Sequence, residues 1–175
     1  LQKIEGSLSI HAHELLTDLV GLEKLYYVGM NVKITDNPSL VSLDGLERIG
    51  RIPGDLYIMG NPNLTNIEGL RFLVNVDGRL LKISENMALQ NIQGLESLTS
   101  VGGALSIWGN PLITNLDALE NLLSIGAGDH NAKNLEINYN TGLVNIDGLQ
   151  NITQVFGNLQ IVGNPTLESL AGVTG

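Results

Sequence analysis

The stretch from Leu98 to Leu119, LTSVGGALSIWGNPLITNLDAL, contains all parts of a repeat that runs along the whole chain. In each copy an aliphatic-x-Ile unit is followed three residues later by Asn, and successive copies are 24, 24, 25, 24, 30 and 24 residues apart. Self-similarity at such a period predicts a solenoid, here with seven turns. The repeated asparagines are Asn37, Asn61, Asn86, Asn110, Asn140 and Asn164, and His13 holds the same position in the first copy.

Local signals predict the path of each turn. The alternation of aliphatic and other residues from Leu105 to Trp108 is typical of a strand with one buried face. Asn-Pro steps such as Asn61-Pro62 predict a corner, because proline fixes its own backbone and restricts the residue before it. Gly-Leu steps predict a second corner. They begin at Gly45, Gly69, Gly94 and Gly148, and Gly172 holds the same position before Val173.

Stacking of such turns about 4.8 Å apart would join the aliphatic rows into one core. We therefore expect an all-β fold, a right-handed parallel β-solenoid. The asparagine column would then lie inside one corner, where each amide can bond backbone groups of adjacent turns. We interpret this column as a structural ladder rather than a functional site.

The composition limits the possible partners. A formal net charge of -9 makes nucleic acid and anionic membrane surfaces poor partners. The chain has no cysteine, so it can form no disulfide, no thiolate metal site and no cysteine nucleophile. The content of 43% hydrophobic residues, 4% aromatic residues and 21 glycines is typical of a repetitive β-rich fold.

The length of 175 residues fits one domain, and we expect residues 1–175 to form a single repeat solenoid. No apolar run approaches the roughly 20 residues of a transmembrane helix, so this segment is not expected to insert into a membrane. No signal peptide is recognisable at the start. Because the first residue is Leu1 rather than Met, we expect the chain to be an excerpt of a longer one.

The repeat resembles the receptor L domains, which are leucine-rich-repeat-like β-solenoids of insulin-type and epidermal-growth-factor-type receptors. Similar repeats occur in fungal cell-wall proteins anchored by glycolipid and in microbial surface proteins. The resemblance extends from IEGSLSI at residues 4–10 to NPTLESLAGV at residues 164–173. The chain lacks the cysteines of the animal receptors and is more similar to the microbial proteins. The resemblance implies an extracellular or cell-surface module without one defined chemistry.

Residues that would support catalysis or a metal centre are not grouped in the sequence. His11, His13 and His130 show no recognised metal-ligand spacing, although the first two lie on one predicted strand. An acidic column interrupted by Gln93 lacks the nonapeptide of calcium-binding β-rolls, and we interpret it as a solvated flank. We expect no catalytic residue, no metal and no cofactor. The acidic column consists of Asp44, Glu68, Asp117 and Asp147.

The outward positions of the first strand in each turn form two stripes that packing does not fix. Large side chains gather in the middle of these stripes, a composition enriched at binding hot spots. The alternative is that scattered exposed aromatic residues are ordinary. The candidate partner-binding residues are Tyr57, Met59, Lys82, Trp108, Glu136 and Tyr139.

The 30-residue step contains an insertion, residues 126–133, which we expect to protrude at a corner. Its polar members Asp129 and His130 are candidates for a functional loop, although surface loops also tolerate insertions without function. A further column begins at Thr17 and would suggest ice binding if it were uniformly threonine, but Val41 and Gln90 interrupt it.

Two sequons, Asn63-Leu64-Thr65 and Asn151-Ile152-Thr153, are possible glycosylation sites and agree with secretion. Two function classes follow. The first is a non-catalytic extracellular or cell-surface recognition or adhesion module that binds a protein or glycan partner through the first-strand face. The second is a structural subunit that assembles end to end with copies of itself into a fibre, appendage or wall layer. Ice binding is a minor third.

Overall fold

The aliphatic-x-Ile segments form one long parallel sheet, to which each turn contributes one strand. In a computed structural model that describes residues 1–173, adjacent turns pair in register, so that Ile58 lies beside Ile34 and Ile83. The prediction of a parallel β-solenoid of about seven turns is confirmed. The strands of the long sheet are β2 (Leu8–His11), β4 (Val32–Thr35), β6 (Leu56–Met59), β8 (Leu80–Ser84), β10 (Ala104–Trp108), β12 (Leu135–Asn138) and β14 (Leu159–Val162).

A second wall closes each turn with much shorter strands. One parallel sheet contains β5 (Arg51–Ile52), β7 (Asn75–Val76), β9 (Ser100–Val101), β11 (Ser124–Ile125) and β13 (Gln154–Val155). In the first two turns β1 (Lys3–Ile4) pairs with β3 (Tyr27–Val28). Single 3-10 turns lie between the two walls, at Glu68–Leu70, Asp117–Leu119, Asp147–Leu149 and Ala171–Val173.

The core is a stack of aliphatic columns that runs the length of the solenoid. Every long-sheet strand has one isoleucine at the same register position, and those of the middle turns are fully buried, as at Ile34, Ile83 and Ile137. Equivalent aliphatic side chains therefore contact one another from turn to turn. This stacking removes from water the apolar surface that no single turn can bury alone.

The asparagine column forms a continuous hydrogen-bonded ladder beside this core. The backbone N–H of each asparagine donates to Oδ1 of the asparagine in the next turn, at 2.9–3.2 Å from Asn37 to Asn164. Each Nδ2 donates to the carbonyl of the preceding turn's isoleucine, as from Asn86 to Ile58 at 3.0 Å. The ladder continues across the insertion, where Asn110 N lies 3.0 Å from Asn140 Oδ1.

The corner before the ladder depends on left-handed backbone, a feature that the Asn-Pro steps do not reveal. One residue in each turn has a φ of 56–68°, a region that strongly favours glycine. Four of these residues carry side chains and three are glycines. They are Ala12, Asp36, Gly60, Glu85, Gly109, Tyr139 and Gly163.

The Gly-Leu steps lie at turns of the chain, as predicted, but left-handed backbone is not what their glycines share. Gly45 and Gly94 have positive φ angles of 113° and 112°, but the other three glycines lie within 3-10 turns. All five instead allow adjacent turns to approach closely. A Cβ added to Gly69 would lie 1.9 Å from the carbonyl oxygen of Leu43, a distance that no side chain tolerates.

The insertion does not protrude as expected, because it folds back over two earlier turns. Gly128 N donates to the carbonyl of Gly102 at 2.8 Å, in the turn before. His130 reaches one turn further, where its Nε2 lies 2.8 Å from the carbonyl oxygen of Asp77. Since a carbonyl only accepts, Nε2 carries the proton of this bond. The insertion, residues 126–133, therefore lies across the beginnings of the long-sheet strands, and we call it the strap.

Candidate functional site

The outward rows of the long sheet are brought into register by strand pairing. In one row Lys82 lies between Tyr57 and Ser106, and in the other Ser84 lies between Met59 and Trp108. The alternation predicts that both rows are exposed along their whole length, but the structure shows that parts of them are buried. Ser84, Ser106 and Asn138 are outward but buried, with 1%, 5% and 9% of their surface exposed. We call the outward residues of β6, β8, β10 and β12, together with Tyr139, the strand face.

The aromatic residues of the strand face do not form a single cluster. Trp108 and Tyr139 contact each other directly, with ring centroids 5.8 Å apart and planes at 68°. The Tyr139 ring also covers the backbone of Gly163, where a Cβ would lie 2.5 Å from Cδ1 of the ring. These contacts fix a half-exposed aromatic corner at the end of β10.

Tyr57 belongs to a separate polar group two strands away. Its hydroxyl donates to the buried carboxylate of Asp55 at 3.1 Å, and the ammonium of Lys33 lies 5.2 Å from its ring centroid. Burial raises the pKa of the Tyr57 phenol above its ordinary value, and the negative charge of Asp55 adds to the rise. The Tyr57 side chain is therefore neutral and fixed by contacts within the chain, so it is less available to a partner than a fully exposed tyrosine.

The two charged candidates, Lys82 and Glu136, differ in their hydrogen bonds to neighbouring side chains. Lys82 is half-buried in the row between Tyr57 and Ser106. Glu136 is also half-buried, and one of its carboxylate oxygens accepts a bond from Asn134 Nδ2 at 3.2 Å. Glu85 follows Ser84, is exposed, and donates its backbone N–H to the carbonyl of Trp108 at 3.1 Å. One cation and two carboxylates therefore border the aromatic corner.

The strap lies away from this corner. It precedes β12 and borders the strands where they begin, whereas Trp108 is the last residue of β10. Asp129 is exposed on the strap, and His130 is tied to the carbonyl of Asp77. The structure therefore does not bring these two candidates into the strand face.

Titratable residues are dispersed over the described part of the chain. Among residues 1–173, no group of three or more His, Asp or Glu side chains could hold a metal ion. His11 and His13 are both exposed, and the backbone N–H of His13 donates to Asn37 Oδ1 at 3.2 Å at the end of the ladder.

Both sequon asparagines are exposed, but their amide nitrogens take part in the fold. Nδ2 of Asn63 donates to the carbonyl of Pro38, and Nδ2 of Asn151 to that of Glu120, each at 2.8 Å. A sugar joins asparagine at this nitrogen and replaces one of its two hydrogens, so the remaining N–H would have to keep the bond to the carbonyl. Use of the two sequons stays a prediction.

Sequence reasoning missed a second column of hydrogen-bonding side chains, besides the asparagine ladder. It lies on the flank of the 3-10 turns. Its side-chain oxygens accept a hydrogen bond from the backbone N–H two residues later, a local motif that orders turns. The period of the repeat carries this signal, since a polar residue always precedes the aliphatic residue before the turn. The bonds are made by Asp18, Ser42, Asn66, Asn91, Asn115, Asn145 and Ser169.

The same flank is interrupted where Ala118 replaces glycine. Within residues 1–173, the N–H of Thr114 forms no bond to the carbonyl of Gln90, although equivalent bonds join Gln90 to Thr65 and Val144 to Thr114 at 3.3 and 2.8 Å. The methyl group of Ala118 stands at the position where the glycines of other turns lie close to a carbonyl of the preceding turn, and we infer that it keeps these two turns apart. A polar groove opens there, lined by residues that include Gln93, Glu96, Asn115 and Glu120.

The helices of the described residues are single 3-10 turns, and none has the length and apolarity to cross a membrane. No protein-family model, curated protein or solved structure matches the chain. Its classification therefore rests on its own geometry, that of a parallel β-solenoid of about seven turns of roughly 24 residues.

Proposed function

We propose that the chain is a non-catalytic recognition or adhesion module that acts outside the cell and binds a protein or glycan partner through the strand face. The half-exposed corner of Trp108 and Tyr139 is the observation that carries this proposal. Aromatic side chains supply large contact areas and are enriched at binding hot spots. The regular sheet beneath them holds the corner in place, so little order is lost on binding.

The resemblance of the repeat to receptor L domains and to microbial surface repeats supports the same assignment. The resemblance implies a module at a cell surface that binds a partner.

The test compares binding to arrays of extracellular proteins and glycans. The face variant combines Trp108→Ala with Tyr139→Gly, and glycine suits the left-handed backbone at position 139. Phe72→Ala is the matched control, because Phe72 is also exposed but lies on another flank. We expect the face variant to lose array signals that the wild type and the control retain. Equal signals from all three would contradict the proposal.

End-to-end assembly is the second candidate. In the first turn Leu15 and Val20 are 90% and 70% exposed, and they border an apolar cavity with Leu16 and Leu22. Such a surface would favour stacking of a second copy. Light scattering and electron microscopy of the purified chain test this candidate. Regular filaments would support it, and a monomer at high concentration would contradict it.

A further inference from the structure

An unpaired hydroxyl lies beneath the strand face. Ser84 is 1% exposed, and its Oγ has no hydrogen-bond partner among residues 1–173. Its outward neighbours in the same row are Met59 and Trp108, one strand spacing away on either side. A buried hydroxyl without a partner is costly and rare in native proteins, so its presence calls for an explanation.

Two further buried polar side chains lie around the same tryptophan. Ser106 is two residues before Trp108 on β10, and Asn138 is beside Trp108 on β12. The oxygen of the Asn138 amide accepts a bond from Val162 N at 3.0 Å, so the nitrogen end is the part available to a ligand. Trp108 is therefore bordered on three sides by small polar residues that packing alone does not require.

The apolar and polar groups are arranged in two layers. The rings of Trp108 and Tyr139 meet at 68° and form an outer corner. Ser84, Ser106 and Asn138 form a polar layer below it. Rotation of the Trp108 or Met59 side chain would uncover the Ser84 hydroxyl, and such rotamer changes take place in picoseconds to nanoseconds at partly exposed positions.

We propose that this part of the strand face binds a neutral saccharide, with a sugar ring packed against Trp108 and Tyr139 and its hydroxyl groups bonded to Ser84, Ser106 and Asn138. The inference rests on the proposed function, because it names the partner class for the same face. A bound sugar would supply the hydrogen-bond partner that Ser84 Oγ lacks.

A saccharide fits these groups better than other ligand classes. Sugars combine an apolar ring face with closely spaced hydroxyl groups, which match an aromatic surface with a few convergent polar groups. The nearby charged side chains are one cation, Lys82, and two carboxylates, Glu85 and Glu136, so the site disfavours anions, and a neutral sugar needs no counter-charge.

The chain contains a built-in reporter for this proposal. Trp108 is the only tryptophan, so intrinsic fluorescence reports on the site without a label. The probes are neutral hexasaccharides of glucose, N-acetylglucosamine and mannose, followed by a broader array of glycans. We expect at least one neutral glycan to shift or quench the emission in a saturable way. No saturable response to any glycan on the array would overturn the proposal.

Substitution of Ser84 separates binding from packing. Ser84→Ala deletes the unpaired hydroxyl, so the free chain should be as stable as the wild type or slightly more stable. If the hydroxyl contacts sugar, affinity for the glycan falls about tenfold. Tyr139→Gly should weaken binding at least as much, and Ser9→Ala, in an exposed position of the same sheet, should leave affinity unchanged. Unchanged affinity in Ser84→Ala would overturn the role of the hydroxyl layer.

The two proposals fail in different ways. If the arrays show binding that depends on the strand face but only to proteins, the recognition function stands and the saccharide inference is wrong. If no binding depends on the strand face, both are wrong.

Discussion

From Asn37 to Asn140, each asparagine of the ladder uses both ends of its amide and its own backbone N–H. In the middle turns these atoms are fully buried, as at Asn86 and Asn110. The ladder therefore supplies partners for backbone groups at a corner where strand pairing has ended. This arrangement makes each asparagine a requirement for the turns on both sides of it.

Asn86→Ala tests this requirement. The substitution leaves the N–H of Asn61 and the carbonyl of Ile58 without their partners in a dry corner. At about 1–3 kcal/mol for each orphaned group, we expect the free energy of unfolding in urea to fall by about 3 kcal/mol or more. Asn164→Ala is the control, because Asn164 is only half-buried and its loss should cost much less. Equal losses would show that the ladder bonds do not set the cost.

Tyr57 gives a prediction for alkaline pH. Because its folded-state pKa is raised, the neutral phenol is favoured by folding. This contribution to stability is fully present below the unfolded value near 10 and is lost as pH rises through the raised folded value. In a titration followed by tyrosinate absorbance, Tyr57 should be among the last of the four tyrosines to ionise. Tyr57→Phe should remove that late step, and a late step that persists would contradict the assignment.

The residues that the sequence could and could not predict differ in a physical way. The Ile and Asn columns repeat at a fixed period because identical contacts recur in each turn, so their roles follow from the pattern. The left-handed backbone of Glu85 and Tyr139 is imposed by the corner, and these residue types do not signal it. The burial of Ser84 depends on the size of the side chains beside it, which the alternation of a single strand does not contain.

At the scale of elements, the two flanks of the solenoid follow different rules. The long sheet tolerates many outward residues, because its register is set by buried isoleucines and backbone bonds. The flank of 3-10 turns allows almost no side chain at the glycine column, because a carbonyl of the preceding turn occupies that space. Ala118 is the exception, and the turns separate there.

Alanine in place of a column glycine should separate two turns, and glycine in place of Ala118 should let two turns close. Gly69→Ala places a Cβ 1.9 Å from the Leu43 carbonyl, and we expect it to destabilise the chain by about 2 kcal/mol or more. Ala118→Gly should let the N–H of Thr114 bond to Gln90, while the added chain entropy offsets the gain in stability. Slower hydrogen exchange at Thr114 is the measurement that checks this closure. An unchanged exchange rate would mean that Ala118 is not what separates the turns.

At the scale of the whole molecule, contacts join each turn mainly to the next, so stability is approximately a sum of turns and interfaces. The strap departs from this rule. We count each turn from the start of one long-sheet strand to the start of the next, so that turn 3 begins with β6 and turn 5 with β10. Through the bond between His130 and Asp77, the strap links turn 5 directly to turn 3 and passes over turn 4. A periodic pattern cannot predict such a link, because the insertion occurs only once in the repeat.

His130→Ala should release the strap with little global effect. One hydrogen bond is lost, so the free energy of unfolding should fall by about 1 kcal/mol or less. Amides of residues 126–133 should exchange faster, while the emission of Trp108 stays unchanged. Asp129→Ala is the control and should alter neither measurement, because Asp129 is exposed. Slow exchange in both variants would show that the Gly128 bond suffices to hold the strap.

The strap also bears on how such an array can change in length during evolution. Repeat proteins gain or lose whole copies easily, since one interface between turns is much like the next. Between turns 3 and 5 that freedom is lost. Removing turn 4 would shorten the span bridged by His130 from about 9.6 Å to about 4.8 Å and leave the inserted residues too long for their path. The strap thus favours keeping turns 3 to 5, the last of which carries Trp108, as one unit, while turns elsewhere remain free to vary.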